Sequence, residues 1–328
     1  MYTFDEEKLI RELKEKNAQR VLVQLPEGLK TEGVRIVSMI NEAVSADVIL
    51  SGEPLWGACD VAIDEAKQLQ CDTIVMYGHA PFMDVSFPIV YVGVTFDQNI
   101  MPSLTKALPA LKAFKAIGLA ASMQHLHQLP LVKEVVEKEG SSVTIPEGKG
   151  HVFYDGQVLG CEYATYKTLA KDVDAIFVIA NRFHALGMAM ALDKPVFLLD
   201  PVNETFENMH EIKEQMVKQR FAAIEKTREA KTVGIIIGIK EGQHFGSAET
   251  VQTKLEAMGK TVILLSMSEV TNDKLINLHT VNAFIELACP RIALDAAALF
   301  DKPILTAREC AVLCGDMSWE DILEKGFV

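Results

Sequence analysis

The sequence predicts an α/β protein of three pseudo-symmetric domains, each a parallel four-stranded sheet flanked by helices. Short apolar runs alternate with helix-like segments along the chain, which is typical of parallel sheets. The order strand–helix–strand–helix–strand–helix–strand can be read three times. The last strand of each copy has a proline near its start (Pro88, Pro195 and Pro303), where a strand tolerates proline. We therefore divide the chain into domains over 1–108, 109–208 and 209–328.

The first domain opens with a predicted helix, because Thr3 and Glu6 have the spacing of a capping box and an apolar stripe follows them. Four apolar runs then read as strands, and two segments between them have the periodicity of helices. The strands are predicted over 20–25, 47–52, 72–80 and 87–94, and the helices over 31–43 and 62–69.

The second domain repeats this order, and a long charged helix over about 204–230 leads from it to the third. Its strands are predicted over 116–123, 142–145, 174–185 and 194–201, with helices over 131–139 and 163–171. The third domain starts at Lys231, and Gly259 is well placed to end its first helix. Its strands are predicted from 231 onward and over 260–265, 281–290 and 302–307, with helices over 247–258 and 272–278.

Composition narrows the possible partners. With 328 residues and a net charge of −13, the chain is a poor candidate for nonspecific nucleic-acid binding, which needs Lys and Arg against phosphate. The N-terminus is charged and has no apolar signal segment, and no apolar run approaches the ~18 residues of a membrane span. We therefore expect a cytoplasmic protein without nucleic-acid or membrane partners. In that reducing compartment its six cysteines are better metal ligands, redox groups or core residues than disulfides.

Three cysteines stand in turns beside a glycine or a proline: Cys59, Cys161 and Cys289. Each domain supplies one, at the strand edge where parallel sheets place functional groups. Thiolates in such turns bind iron–sulfur clusters, and three ligands leave a fourth iron open to substrate. The alternative for each is a buried, inert thiol. The remaining cysteines read as packing residues, although two on one helix face could join a metal site: Cys71, Cys310 and Cys314.

Several other side chains fall at the same predicted edge. His79 and His184 close strands at matching repeat positions, where ligand contact and a structural role are both open. Arg182 is suited to hold a carboxylate or to form a surface ion pair. Arg291 is suited to bind an anion or to pair with Asp295 four residues later.

Two loops of the repeat are further candidates for ligand contact. The run 234–246, which includes Gly238 and Gln243, is rich in glycine but matches neither a dinucleotide fingerprint nor a P-loop. The equivalent loop of the first domain is 26–28. His125 and His127 have the spacing of a metal pair, but we interpret them as polar loop residues.

Matching motifs in one order support a family resemblance. They are LPEGL at 25–29, WGACD at 56–60, YGHA at 77–80, LGC at 159–161, RFH at 182–184, LDP at 199–201, GIKEGQ at 238–243 and ACPR at 288–291. On these segments, which span nearly the whole chain, it resembles the archaeal 2-(3-amino-3-carboxypropyl)histidine synthases of diphthamide biosynthesis. These are noncanonical radical S-adenosylmethionine enzymes.

The resemblance implies a homodimer of three-domain subunits with a [4Fe–4S] cluster at the centre, held by Cys59, Cys161 and Cys289. It implies reductive cleavage of S-adenosylmethionine to methylthioadenosine and a 3-amino-3-carboxypropyl radical. That radical adds to imidazole C2 of a histidine in translation elongation factor 2, and an unidentified donor supplies the electron. The expected contacts to S-adenosylmethionine are Pro26, Glu27, Gly28, Gly78, His79, Arg182, His184, Gly238 and Gln243.

Other functions compete with this one. Quinolinate synthase also combines three α/β domains with a three-cysteine [4Fe–4S] cluster, there as a Lewis acid in dehydration. The sequences around Cys59 and Cys289 argue against it. A non-enzymatic iron–sulfur protein and a structural zinc site are the remaining alternatives.

Overall fold

Buried apolar runs form parallel strands, and helices return the chain between them. The computed structural model describes residues 2–295 and 299–328. The first elements are β1 (Tyr2–Phe4), α1 (Glu6–Glu15), β2 (Arg20–Gln24), a 3₁₀ helix (Glu27–Glu32), α2 (Gly33–Ala43), β3 (Asp47–Leu50), α3 (Ile63–Gln68), β4 (Thr73–Tyr77), β5 (Ile89–Val92) and β6 (Val94–Phe96). The sheet β3-β2-β4-β5 is parallel throughout, which confirms the predicted four-stranded sheet.

The start of the chain differs from the prediction. Thr3 lies in β1, which pairs antiparallel with β6, so it does not cap a helix. Helix α1 starts at Glu6 after Asp5, whose side chain makes no capping hydrogen bond. The capping-box spacing was therefore misleading, because pairing with β6 draws residues 2–4 into a strand.

The second group of elements surrounds a larger sheet. It comprises α4 (Met101–Leu111), β7 (Ala116–Ala121), a 3₁₀ helix (Met123–Gln128), α5 (Leu129–Lys138), β8 (Ser142–Thr144), α6 (Ala164–Leu169), β9 (Ala175–Ile179), α7 (Arg182–Ala191), β10 (Val196–Asp200) and β11 (Thr205–Asn208). The order is β8-β7-β9-β10-β11, and β11 adds a fifth, antiparallel strand to the four predicted parallel ones.

Three expectations for this part of the chain are corrected. The predicted strand over 174–185 ends at Ile179, and α7 begins at Arg182. The side chain of Asn181 accepts the backbone N–H of His184 and caps α7. The charged helix predicted from 204 starts only at His210, because β11 precedes it. Helix α4 was not predicted; the predicted boundary at 108/109 falls within it, and the division into domains stays a prediction.

The third group repeats the first sheet. It comprises α8 (His210–Glu229), β12 (Thr232–Gly238), α9 (Ala248–Ala257), β13 (Thr261–Met267), α10 (Asn272–Ile276), β14 (Ala283–Glu286), α11 (Pro290–Asp295), β15 (Ile304–Thr306), α12 (Ala307–Cys314) and α13 (Trp319–Lys325). The order β13-β12-β14-β15 is again parallel and matches that of the first sheet. The parallel strands of all three sheets therefore follow one order, which is the predicted repeat.

Helix α8 packs against the hydrophobic cores of both the second and the third domain. Ile212 and Met216 contact the second core, and Ile224 lies in the third. Arg220 is fully buried and donates to Glu309 at 2.6 and 2.7 Å and to the carbonyl oxygen of Ile304 at 2.6 Å. Breaking a buried pair of this kind costs about 3–5 kcal/mol, so it fixes α8 firmly on the third sheet. Among the described residues, no helix is long and apolar enough to cross a membrane.

Candidate functional site

Three cysteines, one from each sheet, lie in loops beyond the carboxyl ends of the parallel strands. Cys59 lies between β3 and α3, Cys161 between β8 and α6, and Cys289 directly after β14. All three are free thiols and only partly exposed. Equivalent edges of the three sheets thus supply the three predicted ligands, in the region where α/β sheets place their functional groups.

The three thiols are close enough to affect one another's ionisation. Burial raises the pKa of all three thiols. The negative charge of neighbouring cysteines raises the pKa of Cys161 and Cys289 further, and the pKa of Cys289 reaches about 12. Three thiolates are therefore unfavourable here unless positive charge offsets them. A bound metal centre supplies that charge and deprotonates its thiol ligands.

The Cys59 loop is joined to the loop after β12 by direct contacts. The backbone N–H of Gly242 donates to the carbonyl oxygen of Cys59 at 3.0 Å, and Nε2 of Gln243 lies 3.8 Å from Cys59 Sγ. A Cβ atom at position 242 would lie 2.7 Å from both Cα and Cβ of Cys59. Only glycine allows this approach, so the third domain positions the predicted ligand of the first.

An ionic network reinforces the same contact. Lys240 donates to Asp60 at 2.6 Å and also pairs with Glu269. Glu269 in turn accepts the indole N–H of Trp56 at 2.9 Å. Burial raises the pKa of Asp60, and the ammonium group of Lys240 works against that rise. The network joins residues on both sides of Cys59 to the third domain.

Arg291 joins the loops of the other two cysteines. It lies two residues after Cys289, is 3% exposed, and donates to the carbonyl oxygens of Gly160 at 2.7 Å and Phe183 at 2.6 Å. Its guanidinium also forms two 2.7 Å bonds with Asp295 and stacks on the Phe183 ring at 3.9 Å. The predicted pairing with Asp295 is confirmed, and the same side chain holds the residue before Cys161 against α7.

A buried carboxylate orders the turn at Cys289. Glu286 accepts the backbone N–H groups of Ala288 at 2.6 Å and Cys289 at 2.9 Å. Burial raises the pKa of Glu286 to about 7, and these two hydrogen bonds oppose the rise. The carboxylate thus fixes the backbone direction from which the Cys289 thiol projects.

The three cysteine loops do not form a ready site for a single metal ion. Over the described part of the chain, no group of three His, Cys, Asp or Glu side chains converges tightly enough to hold one metal ion. In a [4Fe–4S] cluster each thiolate binds a different iron, so the sulfurs do not meet at one point. Three separate loops, each fixed by a contact to another domain, fit that requirement.

Histidines from the first and second sheets lie beside the cysteine loops. His79 donates from Nδ1 to the carbonyl oxygen of Tyr77 at 3.1 Å, and His184 donates from Nδ1 to Asn181 Oδ1 at 2.8 Å. In both rings Nε2 is therefore the acceptor. Burial lowers both pKa values, that of His184 to about 3 with help from the charge of Arg291. Both histidines are neutral near pH 7.

His125 differs from its prediction as a polar loop residue. It is 1% exposed, and its Nδ1 has no hydrogen-bond partner among the described residues. Burial lowers its pKa to about 4, and its charge lowers the pKa of His184. His127 is exposed and lies 3.4 Å from Asp97. The sequence missed this burial because the 3₁₀ helix that carries both histidines has no clear apolar period.

The remaining predicted contact residues lie at the same edges, and their contacts with a ligand stay predictions. A Cβ on Gly78 would lie 3.4 Å from Pro26 Cγ, so the two first-domain loops touch. Glu27 pairs with Lys30 at 2.6 Å, and no atom would contact a Cβ on Gly28. Arg182 is exposed and already bonds Glu207 at 2.7 Å, so a ligand carboxylate must compete with Glu207.

Gly238 packs closely against two segments of the site, the turn before Cys289 and the loop at Gln243. A Cβ there would lie 2.5 Å from Ala288 Cβ and 2.5 Å from the carbonyl oxygen of Gln243. The cysteines outside the site pack in hydrophobic cores. Cys71 is buried in the core of the first domain and Cys310 in that of the third. The Sγ atoms of Cys310 and Cys314 are 4.0 Å apart.

Comparison with known proteins identifies relatives along nearly the whole chain. Residues 25–323 match the protein family described as "Putative diphthamide synthesis protein". The 2-(3-amino-3-carboxypropyl)histidine synthase of Pyrococcus horikoshii is 32% identical over 318 residues, which cover 96% of this chain and 91% of that protein. The human subunit 1 of 2-(3-amino-3-carboxypropyl)histidine synthase is 31% identical, with 97% of this chain and 73% of that protein covered.

A solved structure agrees with the fold. The crystal structure of Dph2 from Pyrococcus horikoshii with a 4Fe-4S cluster superposes with a TM-score of 0.87 at 31% identity, covering 99% of this chain and 95% of that one. The three-domain architecture predicted from the repeat therefore occurs in a relative that carries such a cluster.

Proposed function

The chain belongs to the diphthamide synthesis protein family, and we propose that it transfers the 3-amino-3-carboxypropyl group of S-adenosylmethionine to imidazole C2 of a histidine in translation elongation factor 2. It is an enzyme of the 2-(3-amino-3-carboxypropyl)histidine synthase type, as are relatives that cover most of its length. This transfer is the first step of diphthamide biosynthesis.

The observation that carries the proposal is that three cysteine loops, one from each domain, are joined to one another by contacts between the domains. Cys59, Cys161 and Cys289 are the proposed ligands of a [4Fe–4S] cluster, as their burial and mutual charge favour a cationic centre. When bound, such a cluster supplies one electron and an iron without a protein ligand.

The side chains around the cysteines have the chemistry to hold S-adenosylmethionine. The neutral His79 and His184 offer Nε2 acceptors for ammonium or ribose hydroxyl protons. Arg182 offers a guanidinium for the carboxylate, in exchange for Glu207. Space for a close approach is open at Gly28. We propose further contacts from the loops around it and across the site: Pro26, Glu27, Gly78, Gly238 and Gln243.

Arg291 and Lys240 influence the reaction indirectly, because they hold the cysteine loops in place. Arg291 holds the Cys161 loop on the Cys289 turn, and Lys240 holds the Cys59 loop on the third domain. Rigid placement of the ligands decides which sulfonium bond of S-adenosylmethionine faces the site, and thereby which fragment is transferred. We further propose a homodimer in the cytoplasm that receives its electron from a separate reductant.

Product analysis tests this function. The protein is reconstituted with iron and sulfide without oxygen, reduced with dithionite, and given S-adenosylmethionine and elongation factor 2. We expect methylthioadenosine to form only when dithionite is present. When the aminocarboxypropyl carbons of S-adenosylmethionine carry an isotope label, we expect each elongation factor to receive one labelled group. Absence of methylthioadenosine, or formation of 5′-deoxyadenosine in its place, refutes the proposal. A cluster that accepts electrons but cleaves nothing favours an electron carrier.

A further inference from the structure

An exposed surface lies on the two loops that meet at Cys59, the loop before it and the loop after β12. We call it the rim, and it consists of Glu53, Trp56, Ile239 and Glu241. Trp56 is 66% exposed and Ile239 is 58% exposed, although both side chains are large and apolar. The first two residues precede Cys59, and the other two belong to the loop after β12 that contacts it. The rim is thus built from two domains.

The rim is held rigid although it is exposed. Trp56 is fixed by its indole N–H, which donates to Glu269 at 2.9 Å. Glu269 pairs with Lys240, the neighbour of Ile239 in the chain, and Lys240 bonds Asp60 at 2.6 Å. An aromatic side chain that is ordered before binding loses little entropy on contact, and Trp is among the residues that dominate binding energy at interfaces.

The charged residues of the rim indicate which kind of protein surface would bind there. Glu53 and Glu241 are exposed and form no ion pair with any described residue. Two free carboxylates beside two apolar side chains favour a surface with apolar and basic residues. The whole chain is acidic, with a net charge of −13, so a basic segment is attracted from a distance as well.

We propose that the rim docks the segment of the protein substrate that carries the target histidine, with its apolar residues on Trp56 and Ile239 and its basic residues on Glu53 and Glu241. This rests on the proposed function, because only a protein substrate must bring an imidazole next to Cys59. A second copy of this chain is a poorer occupant, since the exposed carboxylates of two acidic copies repel each other. The rim sets affinity for the protein and leaves cleavage of S-adenosylmethionine alone.

Two variants and one control test the rim in the reconstituted holoenzyme. Ile239→Ser removes an apolar contact, and the Glu53→Lys/Glu241→Lys double variant reverses the two exposed charges, while Trp56 and its bond to Glu269 are left in place. Met258→Ser is the control, because Met258 is 40% exposed at the end of α9, which returns the chain to the amino edge of the third sheet. We measure KM and kcat for elongation factor 2, methylthioadenosine formation without elongation factor, and oligomeric mass by light scattering.

Ile239→Ser is expected to raise KM for elongation factor 2 about fivefold or more, with kcat within about threefold of wild type. The Glu53→Lys/Glu241→Lys double variant is expected to raise KM as well, and most at low salt. Methylthioadenosine formation without elongation factor and the oligomeric mass stay at the wild-type level, as do all readings for Met258→Ser.

Different failures have different meanings. If wild type transfers the group and both variants keep the wild-type KM, the docking proposal is wrong while the proposed function stands. If Ile239→Ser loses cleavage without elongation factor, the loop after β12 serves the S-adenosylmethionine site and not docking. A change in oligomeric mass assigns the rim to a second copy. If wild type transfers nothing to elongation factor 2, both proposals fall.

Discussion

Adding one methyl group at Gly242 tests how the third domain positions Cys59. In Gly242→Ala the new Cβ would lie 2.7 Å from Cys59 Cα and Cβ and 2.9 Å from its carbonyl oxygen. Ordinary contact starts at 3.4 Å, so the backbone of Cys59 has to move by about 0.7 Å or more. These are main-chain atoms and a Cβ, which cannot rotate away as a long side chain would.

The displacement is large for a metal ligand. Overpacking of this kind costs about 1–3 kcal/mol, and productive sites hold their groups within roughly 0.5 Å. The hydrogen bond from Gly242 N–H to Cys59 lengthens at the same time. We therefore expect Gly242→Ala to fold, to lower thermal stability by a few degrees, and to lose at least half of its iron on desalting after anaerobic reconstitution.

The matched control is Gly52→Ala, in the same loop as Cys59. No atom lies within 4 Å of a Cβ there, so the change should leave iron content and stability at the wild-type level. Iron and sulfide are counted per chain, and unfolding is followed by calorimetry of the metal-free proteins. Equal iron retention in the two variants would refute the idea that close contact with the third domain positions Cys59.

Three further predictions follow from the same contacts. Cys59→Ala, Cys161→Ala and Cys289→Ala should each lose most of the iron while Cys71→Ala, a change in the core, keeps it; iron retained in any of the first three excludes that residue as a ligand. Arg291→Lys cannot keep the contacts to Gly160, Phe183 and Asp295 at once, so cluster loss measured by the decay of colour should be several times faster than in wild type, and equal decay contradicts the positioning role. His184 has a folded pKa of about 3 against an ordinary 6.5, so the unfolded chain binds the proton first as pH falls below 6.5. This group should therefore remove about 2 kcal/mol of stability from the metal-free protein between pH 7 and pH 5, and His184→Gln should show a correspondingly smaller loss in urea titrations.

The repeat could be predicted because its signal is local. Buried strands such as β2, β4, β9 and β14 are short, continuous apolar runs, and parallel order follows from the helices between them. The turn at Cys289 could be placed for the same reason, since it follows the buried strand β14, whereas the loops of Cys59 and Cys161 follow the less buried strands β3 and β8.

The errors arose where tertiary pairing overrides a local pattern. Thr3 has the spacing of a cap, but pairing with β6 makes it part of a strand. Helix α4 contains Pro102 and Pro109, which hid it as a helix. Only two residues separate the end of β9 from the start of helix α7, so the start of the helix was read as part of one long strand.

The contacts that fix the proposed cluster ligands were beyond prediction. Lys240 bonds Asp60 across 180 residues, and Arg291 bonds the carbonyl oxygen of Gly160 across 131. Nothing in the local sequence distinguishes Lys240 from a surface lysine, or Gly242 from a flexible loop glycine. Their roles depend on how three sheets pack together, and one sequence carries no direct record of that.

The most direct test of the central claim is to locate the transferred group on elongation factor 2. The reduced, reconstituted protein is incubated with S-adenosylmethionine and elongation factor 2, and the digested product is examined by tandem mass spectrometry. The account predicts one added 3-amino-3-carboxypropyl group, carried by the imidazole ring of a single histidine and absent with Cys161→Ala. Unmodified elongation factor, or a group bound to another residue type, would contradict it.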